Sequence, residues 1–125
     1  MTYLATSINE SPVIVDKAGA TIADVRGRAV KFDTNGAIVL AGAGEAAIGV
    51  GIMTNDENIE AGKDVHVQIK DIGLVRAGAE IKKGATLQAD ATGALITATE
   101  GKAAVAIALD AAAAAGVYIK AIILK

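Results

Sequence analysis

The chain has no cysteine and no tryptophan, and its 125 residues include only one proline, one histidine, one phenylalanine and two tyrosines. Without cysteine there is no disulfide framework and no thiolate metal site, so packing and hydrogen bonds must hold the fold. Without large aromatics each buried side chain removes little apolar area from water, because the 53 % hydrophobic content is mostly Ala, Val and Ile. A thin core of this kind is often completed by burial between subunits. An excess of one charge is missing too. Twelve Lys and Arg are interspersed with fourteen Asp and Glu for a formal net charge of −2, so no basic stripe exists to neutralise phosphates and nucleic acid is not an expected partner. Apolar runs such as Ala111 to Ile119 fall far short of the ~20 residues of a membrane-spanning helix, so no membrane is expected either. The start, MTYLATSINESP, has neither a cationic segment nor a continuous apolar one. It reads as no signal peptide, and the expectation is a soluble protein made in a cytoplasm. At this length one domain is expected.

What the chain does have is glycine at regular places, with short Val- and Ile-rich segments between, and a repeat. Offsetting the sequence by 57 positions lays GRAVKFDTNGAIVLAGAGEAAIGVGIM (27–53) over GATLQADATGALITATEGKAAVAIALD (84–110) without a gap. Gly27, Asp33, Gly36, Ala37, Ala41, Gly44, Ala46 and Ala47 meet the same residue types in the second copy, and Val30, Ile38, Ile48 and Ile52 meet other aliphatics. A three-residue shortening then pairs AGKDVHVQI from Ala61 with AGVYIKAII from Ala115. Two copies are too few for a solenoid, so both are expected in one domain about a pseudo-two-fold axis. The pseudo-repeats run over about 24–72 and 81–124 of a single β-domain, 21–125, behind an N-terminal arm, 1–20.

The local patterns point to strands. Val65, Val67 and Ile69 alternate with His66, Gln68 and Lys70, as in a half-buried strand. Asp33-Thr34-Asn35-Gly36 and Asp90-Ala91-Thr92-Gly93 read as hairpin turns, because Asp and Asn accept local backbone hydrogen bonds and Gly tolerates positive φ. A single helical turn is expected at 110–116 and at its counterpart 55–61, neither long enough to be an independent helix. The fold class is therefore all-β: a small antiparallel β-barrel or sandwich built from two pseudo-repeats, with little helix. In the last strand Val117, Ile119, Ala121 and Ile123 make one face, and Tyr118, Lys120, Ile122 and Leu124 the other, which is far more apolar than its first-copy counterpart. Either that strand is covered twice, or Tyr118, Ile122 and Leu124 meet another subunit.

Candidates for chemistry are few. His66 lies on the polar side of a strand with no second histidine, and Ser7 and Ser11 sit in the arm outside any nucleophile motif, so no catalytic residue is assigned. Asp56, Glu57 and Glu60 lack calcium-loop spacing, and Gly42-Ala43-Gly44 lacks a following Walker lysine. No metal or cofactor is expected. A carrier domain displaying Lys63 or Lys102 lacks a lysine in either matching turn.

The order of features resembles the capsid cement, or head decoration, proteins of tailed bacteriophages. The resemblance runs through GRAVKFDTNGAI, AAIGVGIM and NDENIEAGKDVHVQIKDIG, then AGAEIKKGATLQADATGALI, AVAIALDAAAAAG and VYIKAIIL, from about Ala23 to Leu124. Ala106 stands where that family tends to have glycine. The resemblance implies a non-enzymatic virion protein, a homo-oligomer and most simply a trimer, that decorates and stabilises the capsid by binding the outer surface of the major capsid protein. The arm, with Thr2, Tyr3 and Leu4 as its anchor, is then the expected capsid-binding segment. The alternatives are the base domain of a head fibre and a small-ligand-binding β-barrel.

Overall fold

The computed structural model describes residues 11–124. Two five-stranded sheets and one two-stranded ribbon, all antiparallel, account for the regular structure, and there is no helix among the described residues. The first sheet contains β1 (Val13–Lys17), β3 (Ala29–Phe32), β4 (Ile38–Leu40), β5 (Gly49–Gly51) and β7 (Asp64–Gln68), in the order β1-β7-β5-β3-β4. The second contains β8 (Asp71–Arg76), β9 (Thr86–Ala89), β10 (Leu95–Thr97), β11 (Ala106–Ala108) and β12 (Tyr118–Ile123), in the order β8-β12-β11-β9-β10. The two orders are the same. Strands β3, β4 and β5 recur as β9, β10 and β11 at the 57-residue offset, so the duplication in the sequence is a duplication of structure. The ribbon joins β2 (Ile22–Ala23) to β6 (Asn58–Ile59). No sheet closes on itself, so of the two architectures expected the sandwich is the one found.

Each turn forms as its residues dictate. The Asp33 carboxylate accepts from Asn35 N at 2.8 Å and Ala37 N at 3.0 Å, and Asp90 accepts from Thr92 N at 2.8 Å. The third turn residue is followed in both copies by a glycine at positive φ, 79° at Gly36 and 84° at Gly93. In β7 the alternation holds: Val65 and Val67 are fully buried and His66 is exposed.

Three expectations are corrected. Residues 13–20 are not arm. Val13–Lys17 pair with β7 along their whole length, and Ala18 bridges Ile38 as Ala77 bridges Leu95, so an AGATI segment (18–22) is the counterpart of AGAEI (77–81). That correspondence has an offset of 59, because the loop 23–26 is two residues longer than its counterpart, and a gapless comparison does not reach it. The helical turns do not form. Asn58–Ile59 belong to the ribbon, and the backbone of Ala112 is bonded in both directions to Ile81 at 2.9 Å, which removes the groups a helical turn would use. Third, the halves are not related by a pseudo-two-fold axis. Val30, Ile38, Val65 and Val67 form a core within the first half. Residues on the other side of the same sheet, Ala29, Ala41 and Val50, join the core of the second half with Leu87, Leu95, Ile119 and Ile123. The second half returns nothing to the first half's core, so the contact is head-to-tail.

An alanine methyl contributes only about 0.8 kcal/mol on burial, so this core depends on close approach more than on large side chains. Strand β5 is the tightest place. A Cβ on Gly51 would collide with the Val25 carbonyl oxygen and lie 2.9 Å from Val25 Cγ2, whereas the second-copy counterpart is Ala108, where the shorter loop leaves room for a methyl. Gly51→Ala is expected to destabilise the chain by about 1–3 kcal/mol through overpacking. Urea unfolding followed by circular dichroism measures this, and an unchanged midpoint would show that the 23–26 loop moves aside freely.

Candidate interaction surfaces

The seam between the halves is the most heavily built polar feature. Asp24 holds a left-handed backbone, φ 58°, which Asp tolerates through local hydrogen bonding. Its Oδ1 accepts from Arg26 Nε at 2.7 Å, and its Oδ2 lies 3.6 Å from Arg76 Nη1 on the second half. Arg76 also donates to the Tyr118 hydroxyl at 3.3 Å, with its guanidinium 5.9 Å from the ring centre. Backbone bonds complete the seam: Ala29 N to Gly93 O at 2.7 Å, Arg76 N to Gly27 O at 2.8 Å and Gly44 N to Ala89 O at 2.8 Å. The stem of Lys102 packs over Gly44.

The outer face of the second sheet is apolar. Ile122 stands across from Ile72 on one side and Ile107 on the other, and Lys120 stands across from Leu74. Ile72 is 58 % exposed, Leu74 42 % and Ile122 37 %. Beside them Ile52 and Met53 complete a groove of about 480 Å³. Of the three residues expected at a subunit interface, Ile122 lies in this patch. Tyr118 alternates onto the same side but is engaged in the seam against Arg76 and Gly27, and Leu124 is half-buried, its amide bonded to Val105 O at 3.0 Å. Sequence reasoning missed Ile72 and Leu74, because Asp64 to Ile72 reads as one strand, whereas the chain bends at Lys70 and starts a new strand at Asp71. The alternation of Ile72 and Leu74 with Gly73 and Val75 was the available signal. Thr2, Tyr3 and Leu4 lie outside the described residues.

His66 borders an open cleft of about 650 Å³ with Asn55, Asp56, Glu60, Lys63 and Asp64. Asn55 is buried there, but its side chain serves the backbone, donating to the carbonyls of Ile52 and His66 at 2.9 and 2.8 Å and accepting from His66 N at 2.9 Å. It fixes the strand, and among the described residues no side chain hydrogen-bonds the imidazole to orient it. Among the described residues no three His, Cys, Asp or Glu side chains converge as a metal site.

A model of the phage cement protein family matches residues 27–123, from the first glycine of the repeat through the last strand. The chain belongs to the phage cement protein family. No curated protein matches it in sequence. Among solved structures it is similar to the head fiber gp8.5 N base of bacteriophage phi29, with 17 % identity over 90 % of this chain and 92 % of that one and a TM-score of 0.67. At that identity the likeness is one of fold. The cement family makes this a structural phage protein.

The seam carries a distinctive charge environment at its edge. The hydrogen bond from Arg26 holds the Asp24 carboxyl below the usual carboxylate range, with the Arg26 and Arg76 charges adding to the effect and partial burial opposing it. Because the folded value lies below the unfolded one, this stabilisation is present above the ordinary carboxylate range and is lost as pH falls through the lowered value. Asp24→Asn keeps the left-handed backbone and removes the charge. At about pH 7 it is expected to cost about 1 kcal/mol. In thermal melts the gap from wild type should close in acid as Asp24 itself protonates; a gap that stays constant would show that the charge contributes nothing.

Proposed function

We propose that this chain decorates the phage capsid, binding the outer surface of the major capsid protein and stabilising the shell without carrying out chemistry. The observation that supports this reading is the family match that takes in strands of both halves, joined to an all-β architecture that exposes an apolar sheet face at Ile72, Leu74 and Ile122. The protein then resides on the virion surface, having assembled in the host cytoplasm. It acts as a homo-oligomer, a trimer in the simplest form, with Ile122 central to the contact and Tyr118 and Leu124 flanking it. The thin Ala-rich core supports this, since association supplies area that one chain lacks. The N-terminal segment, with Thr2, Tyr3 and Leu4, attaches the assembly to the shell.

A second reading is the base of a head fibre, favoured by the fold likeness that covers nearly all of the phi29 fibre base. It differs in what projects outward, while the attachment to the head is shared.

Two experiments test the main reading. Deleting residues 1–12 should leave folding and oligomerisation intact and weaken binding to undecorated capsids, measured by occupancy at limiting protein; equal occupancy would assign the binding to the β-domain. Ile122→Lys puts a charge in the apolar patch and should weaken association by about 2 kcal/mol or more if Ile122 is central. An oligomer unchanged in sedimentation would remove Ile122 from the contact.

A further inference from the structure

The two halves of the chain meet through complementary surfaces of which each half carries both, yet only one pair is used. Along the seam, Ala29 N bonds Gly93 O, Arg76 N bonds Gly27 O, and Gly44 N bonds Ala89 O. By the internal repeat, the counterparts of these partners are Thr86 with Gly36, Lys17 with Gly84, and Gly101 with Phe32. None of these counterpart contacts is made. A Cβ placed on Gly27 would lie 2.8 Å from Arg76 N, one on Gly93 3.0 Å from Ala29 O and one on Gly44 2.6 Å from the Lys102 side chain, whereas Gly84, Gly36 and Gly101 have nothing within 4 Å. Ala29 is fully buried and its counterpart Thr86 is exposed; Ala89 is fully buried and its counterpart Phe32 is 43 % exposed. The second half therefore ends in an unused copy of the surface that the first half presents to it, and the first half in an unused copy of the surface that receives it.

We propose that these two free surfaces dock on each other between copies of the chain, repeating across the subunit boundary the head-to-tail contact that joins the halves within one subunit. The inference rests on the homo-oligomeric reading above and names its geometry. The core of the first half has the vacancy this requires. Its Leu40, Ile48 and Ile69 are only partly buried, and it receives no equivalent of the Ala29, Ala41 and Val50 that the first half supplies to the second. Thr86, Ala98 and Ile107 are the corresponding residues, and none is buried in the single chain. The occupant is a second copy because the shape that fits the Phe32 end is one this chain itself carries. Charge adds one element: Lys82 and Lys83 precede Gly84, and the exposed Asp16 adjoins Lys17, whose amide donates to the Asp16 carboxylate at 2.8 Å and whose ammonium pairs with Asp64 at 2.5 Å. On the free surface of the second half Thr86 stands where the internal counterpart has Ala29, while Ala98 and Ile107 keep the apolar character of Ala41 and Val50. A contact of two unlike surfaces closes into a ring when its rotation permits.

The test uses two full-length variants, each altered at one exposed residue: Phe32→Lys on the receiving end and Thr86→Arg on the inserting end. Wild type, both variants and their equimolar mixture are compared by sedimentation velocity and native mass spectrometry, with circular dichroism confirming the fold. Wild type should assemble, each variant alone should be monomeric with association weakened roughly tenfold or more, and the mixture should form a one-to-one heterodimer and nothing larger, because each chain retains one intact surface. If both variants assemble as wild type does, or only one fails, or mixing restores no dimer, the head-to-tail contact is wrong while the homo-oligomer stands. A wild type that is monomeric at every concentration overturns both.

Discussion

Ala29 N meets the Gly93 carbonyl at 2.7 Å, an approach so close that a Cβ on Gly93, already at positive φ, would lie 3.0 Å from the Ala29 carbonyl oxygen. Around this contact the first sheet is divided between two jobs. Val30, pointing one way, belongs to the first half's core, and Ala29 and Val50, pointing the other, close the core of the second. Strand alternation makes that division possible, because consecutive side chains emerge on opposite faces. The second sheet has no such double duty. Its outward face, with Ile72, Leu74 and Ile122, is left to solvent. One small-residue contact thus decides which half is complete within the chain and which surfaces stay available.

The absence of large aromatics follows the same logic. A seam made by backbone approach needs Ala and Gly at the crossing points, and bulky side chains there would separate the halves and break the backbone hydrogen bonds between them. What strength the seam lacks in apolar area it gains from polar groups at its edge, where Asp24, Arg26, Arg76 and Tyr118 interlock. The one phenylalanine, Phe32, sits away from this seam at the open end of the first half, at a position where the second half has Ala89.

Much of this was legible in the residues. The gapless match of Gly27–Met53 to Gly84–Asp110 located three strand pairs, both Asp–Gly turns announced themselves by composition, and Val65 and Val67 declared a buried face. The edge strands were hidden by a two-residue difference in loop length, although the shared AGA at 18–20 and 77–79 was there to be found. The relation between the halves was harder, since a repeat says that two units are alike and not how they are rotated against each other. Its trace lay in the exchange of Ala29 for Thr86, which makes one copy of the face polar at the crossing point and not the other. Helix propensity misled at 110–116 because five alanines carry no information about Ile81, whose backbone claims Ala112. Of the exposed patch, Ile122 could be read from strand alternation, and Ile72 and Leu74 alternate likewise with Gly73 and Val75, but placing them on a separate strand required the bend at Lys70.

The one-sided packing of the halves is the central claim, and hydrogen exchange in dilute solution, where the chain is monomeric, tests it most directly. Gly44 N is bonded across the seam to Ala89 O, and its repeat counterpart Gly101 N has no bond among the described residues. The Gly44 amide should therefore be protected and the Gly101 amide should exchange at close to the rate of an unstructured peptide. Equal protection at the two glycines would mean that the halves embrace symmetrically, and the account of the fold given above would be wrong.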